Sequence, residues 1–380
     1  MFLRFGSQDS YTVFSPIYAL AIEAWGVETA ARVLMLIGQL AWVGGAICLA
    51  RAALDGYSRW VGLALLAGLP AYYGAGDIFR FAEPFLTPRI FAEALVLLGL
   101  AQGLRRQLIA ATACMAVALL VHPLMAAGGV LCLVHIVARP RHRWFVPAGV
   151  IAGLAAAISV SIVAPVGPLS LFSPEWLELI RTRGDFLMIS GWDAEAWKRL
   201  VATLVALYIA ATVPGNVRAA QLAEAGLTVT LLGLLVTWVG SSLVHVVLLT
   251  QGQAWRWSWI ATVIAMLVSA TQAAMAWRSG RLAQCALLLF LCGLVLTGWV
   301  AILFVALAAL TWSVRNRAMP TAVARGTLMA VGAVTASCVI GWATIQLADW
   351  TDFAADTSST WASERLRRDL GDGVIPILLV

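Results

Sequence analysis

The chain has 380 residues, 62% of them hydrophobic and 12% charged, with a net charge of +6 and a mean hydropathy of +0.90. Soluble domains run at roughly 45–50% apolar and about 25% charged, so a soluble enzyme, a disordered tail and a disulfide-stapled secreted fold are excluded. The basic residues fall in short breaks between apolar runs instead of on one soluble face, which excludes nucleic acid as a partner.

Taken from the start, residues 1–31 hold Gln8-Asp9-Ser10-Tyr11 and Phe14-Ser15-Pro16-Ile17-Tyr18, and 17–30 reads as a short amphipathic helix at the membrane surface. Asp9 is either a cap or solvated acid ahead of that helix, or a general base or metal-ligating carboxylate. Apolar runs follow at 33–50, 60–74, 90–103, 107–121, 124–138, 146–164, 199–213, 226–250, 257–277, 282–298, 299–313 and 326–347. A bilayer core of about 30 Å needs about 20 apolar residues per helix, fewer where helices pack or re-enter. The expected fold is an all-α, polytopic transmembrane helix bundle of about twelve helices, with ten to thirteen as the range. The join between 282–298 and 299–313 is the least marked, and Gly293 and Gly298 are its candidate hinges.

Arginine placement orients the bundle. One set of alternate loops carries thirteen arginines and two acids, Asp55 and Glu224; the other carries twelve basic residues and seventeen acids. The arginine-rich set is expected on the cytoplasmic side of a bacterial inner membrane. The chain then divides into an outer-face segment 1–31, a bundle 32–347 with outer loops 75–89, 165–198 and 251–256, and an extracytoplasmic tail 348–380. Residues 1–31 show no basic stretch followed by an apolar one, which predicts either that a further helix precedes them, the favoured expectation, or that the short N-terminus is translocated without one.

The polar clusters all fall on the outer face. Loop 75–89 holds Asp77, Arg80, Glu83 and Arg89, with Glu93 one turn into the next helix. Pro84 and Pro88 keep its backbone extended. The arginines suit a phosphate, gripped in a bidentate way; Asp77 and Glu83 suit acid–base work. The competing reading is a self-satisfied ion-pair cluster. Glu93 lies close to the hydrocarbon, where an unpaired carboxylate is expensive. His122-Pro123 ends an apolar helix, and His122 is either a structural partner or a phosphate ligand or proton relay. Loop 165–198, with Glu175, Trp176, Trp192 and Asp193, resembles a carbohydrate-facing surface. Gln251, Gln253 and Arg256 sit among Trp255, Trp257 and Trp259; the tryptophans read as an aromatic belt, while the two amides and the guanidinium could hold a sugar or phosphate. No P-loop, GxSxG elbow or HExxH is present. Nor does any Cys/His spacing fit zinc. No cofactor follows from the residues, and a divalent cation at the carboxylates is left open.

Segments Glu83-Pro84-Phe85-Leu86-Thr87-Pro88-Arg89, His122-Pro123 and Gln253-Ala254-Trp255-Arg256, with Asp9 ahead of an interfacial helix, resemble the GT-C superfamily of membrane glycosyltransferases over most of 1–347. The resemblance implies a polyprenyl-phosphate-linked sugar donor used at the outer face. It implies Asp9, Glu83 or Asp77 as the catalytic base, and Arg80, Arg89, Arg256 and His122 at the lipid phosphate, with Gln251 and Gln253 beside it. The lipid bilayer and that donor are the expected partners. Three other readings stay open: a polysaccharide polymerase or ligase of the O-antigen type, a secondary transporter, and a non-catalytic multi-pass protein.

Overall fold

The computed structural model describes residues 12–75, 78–138, 140–316 and 321–355. The described residues are almost entirely helical, with only isolated β-bridges such as Leu171–Val246. Fifteen α-helices are seen among them: α1 (Phe14–Trp25), α2 (Val27–Ala53), α3 (Ser58–Gly68), α4 (Pro88–Leu104), α5 (Leu108–Val121), α6 (Pro123–Val137), α7 (Phe145–Val163), α8 (Pro174–Arg183), α9 (Ala194–Thr212), α10 (Val217–Thr237), α11 (Val247–Gln251), α12 (Ser258–Trp277), α13 (Arg281–Val295), α14 (Gly298–Ser313) and α15 (Thr321–Ala355). Four segments, 27–53, 140–163, 217–243 and 322–344, are long and apolar enough to cross a membrane, and a bent pair over 247–277 adds a fifth if it is one span. Only 6% of the apolar window in the last of the four is buried within the protein. Such a surface is stable in lipid and not in water.

Each apolar run contains a helix, but several boundaries differ from the sequence expectation. The surface helix expected over 17–30 ends at Trp25, because Gly26 takes a left-handed φ of 76° and residues from Val27 onward belong to α2. The run 60–74 is helical only to Gly68, with Pro70 just beyond the helix end. The run 226–250 is broken: α10 passes into a π-turn over Trp238–Leu243, and His245 has φ 62°. There the chain pairs with 168–172 through backbone hydrogen bonds, Val247 N–H to Ser170 O at 3.0 Å among them. Of the two expected hinges, Gly298 opens α14 with φ 64°, whereas Gly293 lies inside α13 against Val305 and Ala301.

Contacts divide the chain into two units. The first comprises residues 1–59, 79–192 and 225–261. Its hub is α4, which packs on α2, α5 and α6. Ile90, Val96, Leu97 and Leu100 are fully enclosed there. Close approach depends on small residues: a Cβ at Gly45 of α2 would strike the Ala94 carbonyl, and one at Gly129 of α6 would strike Val96. The second unit comprises residues 60–78, 193–224 and 262–380. Its core joins α9, α13 and α14 around Val205, Ile209, Ala286, Val305 and Trp312. Trp312 Nε1 donates to Thr212 Oγ1 at 2.7 Å, and Arg315 donates to Thr212 O at 2.9 Å. At the α13–α14 break, Glu195 Oε1 accepts the Gly298 N–H at 2.7 Å. Lys198 Nζ donates to Glu195 Oε2 at 2.7 Å and to Leu296 O at 3.0 Å.

Candidate functional site

The site lies in the first unit, where the loop before α4 meets the α5–α6 corner and the segment 252–257. Pro88 opens α4 at a position that needs no N–H, and Thr87 is the N-cap residue. The Thr87 hydroxyl does not cap the helix; it donates to Glu83 Oε2 at 2.7 Å. Arg89 Nη1 meets Glu83 Oε1 at 2.6 Å. Glu83 is enclosed, with 2% of its side chain exposed, while Arg89 keeps 21%. One end of the pair is therefore sunk in the protein and the other is partly exposed.

Two further arginines act on Glu83. Arg256 and Arg80 both lie within electrostatic reach of its carboxylate. Arg256 is aimed by its own segment: Gln253 takes a left-handed turn at φ 44°, and its Oε1 accepts the Arg256 Nε–H at 2.5 Å. The guanidinium stacks over Phe79 at 4.3 Å. Below it, Thr237 Oγ1 accepts the Trp255 N–H at 2.8 Å, and Trp259 Nε1 donates to Met125 O at 3.2 Å, tying the segment to α10 and α6. Burial pushes the Glu83 carboxyl above its ordinary range, although Arg89, Thr87, Arg256 and Arg80 all pull it down.

His122 stands at the corner between α5 and α6. It caps α6, its Nδ1 accepting the Met125 N–H at 3.3 Å. Burial, then Arg256 and Arg89, push it down to about 4, so it is neutral at pH 7. With Nδ1 occupied as an acceptor, Nε2 carries the proton and can donate. The cluster thus presents three guanidiniums and one neutral imidazole donor around a single buried carboxylate. Its charge is positive even if Glu93, next to it, is counted as ionised.

The structure therefore brings together Glu83, Arg80, Arg89, His122, Gln253 and Arg256. Gln251 is not among them: it ends α11 with its side chain exposed, because the turn at Gln253 separates the two amides. Asp9 and Asp77 lie outside the described residues. Among the described residues no group of three or more His, Cys, Asp or Glu could hold a metal ion. Trp176 is exposed on α8, but Trp192 is buried edge-on against Trp255 and offers no face to a sugar.

Two contributors were not anticipated from sequence. Gln39 Nε2 donates to the Glu83 carbonyl at 2.5 Å. Trp42 Nε1 donates to Glu93 Oε2 at 2.9 Å, and the same oxygen accepts the Ala82 N–H at 2.9 Å. The one sequence signal was their type: an amide and an indole among the apolar residues of α2.

An apolar groove of about 520 Å³ adjoins segment 252–257, walled by Leu119, Val130, Val150, Leu154, Leu249 and Trp257. Comparison of the chain with protein-family models, with curated proteins and with solved structures finds no match.

Proposed function

We propose that the chain is a glycosyltransferase of the GT-C type, in a polytopic bundle of about twelve helices in a bacterial inner membrane. It takes a sugar from a polyprenyl-phosphate carrier at the extracytoplasmic face. The observation that carries this reading is the excess of guanidinium charge around one buried carboxylate in an apolar helical chain. A lipid phosphate is the anion such a site would meet at a membrane surface. The groove lined in part by Gly252, Ala254 and Trp257 supports a lipid-borne donor, since its walls suit a hydrocarbon chain.

The chemistry needs a base on one side of the anomeric carbon and positive charge on the other. The donor's phosphate draws Arg89 away from Glu83 and adds Arg256 and the His122 Nε2–H. Glu83, released from its ion pair, takes the proton of the acceptor hydroxyl. The acceptor oxygen bonds to the anomeric carbon, and the carbon–oxygen bond to phosphate breaks. The electron pair leaves on the phosphate oxygen, neutralised by the arginines. The raised proton affinity of Glu83 suits a group that must accept a proton near neutral pH.

A second reading has one observation behind it. Glu83 is held by both Arg89 and Thr87, as it would be if its task were to orient Arg89 in a polymerase or ligase of the O-antigen type. Purified protein in lipid nanodiscs, supplied with radiolabelled sugars on undecaprenyl phosphate, separates the two. Loss of transfer in both Glu83→Gln and Arg256→Ala supports the transferase with Glu83 as base. Loss in Arg256→Ala alone supports the second reading. Undecaprenyl phosphate that binds wild type and Arg256→Ala equally sinks both.

A further inference from the structure

Glu83 follows a residue held in an unfavourable conformation. Ala82 is fully buried and has φ 50°, in the left-handed region that a residue with a Cβ seldom enters. Such a residue persists only where its surroundings fix it. Here two helices do so. Glu93, on α4, accepts the Ala82 N–H and the Trp42 indole N–H on the same oxygen, each at 2.9 Å. Trp42, on α2, lies flat on Phe81, with ring centroids 5.6 Å apart and planes 5° from parallel. Gln39, one turn earlier on α2, donates to the Glu83 carbonyl. The peptide before Ala82 and the peptide after Glu83 are therefore both gripped, and the direction in which the Glu83 side chain leaves the backbone is set between them.

We propose that Glu93 is a positioning residue: with Trp42 and Gln39 it forms a buried clamp that holds Ala82 left-handed and so aims the Glu83 carboxylate at Arg89 and the incoming ligand. This rests on the reading of Glu83 as the working carboxylate of the site. Glu93 is itself 0% exposed, and its other oxygen, Oε1, has no hydrogen-bond partner among the described residues. It is thus sealed from any ligand. A carboxyl group costs more to bury than an apolar side chain of its size, and the function it serves here is to accept two N–H groups that no apolar side chain could satisfy. The α2–α4 contact supplies the packing; Glu93 supplies the alignment.

The test reads Glu83 directly, without requiring turnover. The full chain in nanodiscs is treated with a water-soluble carbodiimide and an amine, and Glu83 labelling is followed by mass spectrometry. Wild type should label slowly. Glu93→Ala should label about tenfold faster, through local release of the loop. Trp42→Phe keeps an aromatic ring against Phe81 and removes the indole N–H together with the pyrrole half of the ring; it should label about threefold faster, and it covers the case in which Glu93→Ala does not fold. Adding Ala82→Gly to Glu93→Ala should return labelling towards wild type, because glycine adopts a positive φ without the penalty that the alanine Cβ carries. Where transfer is measurable, kcat should fall up to about 100-fold in Glu93→Ala, with KM for the lipid donor little changed. Wild-type labelling in folded Glu93→Ala and Trp42→Phe overturns the proposal, and so does the absence of recovery with Ala82→Gly. If labelling follows the expected order while wild type transfers no sugar, the clamp stands and the transferase reading falls.

Discussion

Glu83 in the first unit stands in the loop before α4, Glu195 in the second stands in the first turn of α9 against the α13–α14 break, and both hold a neighbouring cation. Their surroundings differ in what is left over. Glu195 shares its two oxygens between the Gly298 N–H and Lys198, and Lys198 reaches on to the Leu296 carbonyl. Arg199 also lies within electrostatic reach of Glu195, with its guanidinium donating to the Gly74 carbonyl at 3.4 Å, and the group closes the ends of two helices. Around Glu83, three arginines face one carboxylate, and the nearby histidine is neutral. At Glu195 the two cations donate to the Leu296 and Gly74 carbonyls and the group serves as a joint; around Glu83, on the function proposed above, the excess of guanidinium charge in an enclosed place suits a ligand of the opposite sign.

The widest separation between the two should come from neutralising each acid. Glu83→Gln should lower sugar transfer by roughly 10²–10⁴-fold without lowering the melting temperature. Its raised proton affinity means that the fold disfavours its charged form, so a neutral amide of the same shape should leave stability equal or higher. Arg256→Ala should weaken binding of undecaprenyl phosphate by about 10- to 100-fold, through loss of one charge-assisted contact.

Glu195→Ala should do the reverse. Losing the Gly298 cap and the Lys198 pair should cost about 1–2 kcal/mol of stability, read as a lower melting temperature in nanodiscs, with undecaprenyl phosphate binding unchanged. A variant of Glu195 that abolishes binding while melting normally would erase the distinction.

Smaller effects concern pH. If Glu83 works as a base, transfer fails as pH drops through its proton affinity, and burial places that limb above the ordinary 4.5. Arg89 is the largest of the influences holding it down, so Arg89→Ala should move the limb of the remaining activity to higher pH. A limb that moves down would contradict the assignment. His122 contributes in the opposite sense, since its folded value, about 4, lies below the ordinary 6.5. The unfolded chain takes up a proton that the folded protein refuses, so stability should fall as pH drops from 6.5 towards 4. His122→Gln should flatten that slope, as melting curves across the window would show.

Much of the fold was legible because its signal is local. Continuous apolar runs mark helices wherever the chain meets lipid, and α4, α5, α6 and α14 lie close to where those runs put them. The broken elements were not legible. The π-turn at 238–243 and the hinge at Gly26 come from tertiary contacts and from one backbone angle, and neither interrupts the apolar pattern. At the site, charged residues stand out in so apolar a sequence, so Glu83, Arg89, His122 and Arg256 could be singled out. Gln39 and Trp42 could not: they lie 44 and 51 residues from their partners, and nothing in α2 shows that α4 will face them. Gln251 misled because two residues of sequence separation hide the left-handed turn at Gln253.

The α13–α14 joint also bears on how the protein sits in its membrane. At 15 and 16 residues, these helices measure about 22–24 Å, short of a bilayer core of about 30 Å. As helices this short they suit lipid only as a packed pair, and α13 and α14 do pack on each other. The Leu296 carbonyl and the Gly298 N–H at the break are met by Lys198 and Glu195, which belong to α9. Through Glu195 and Lys198, α9 serves as the dock for the α13–α14 hairpin, so loss of either side chain is expected to loosen the pair.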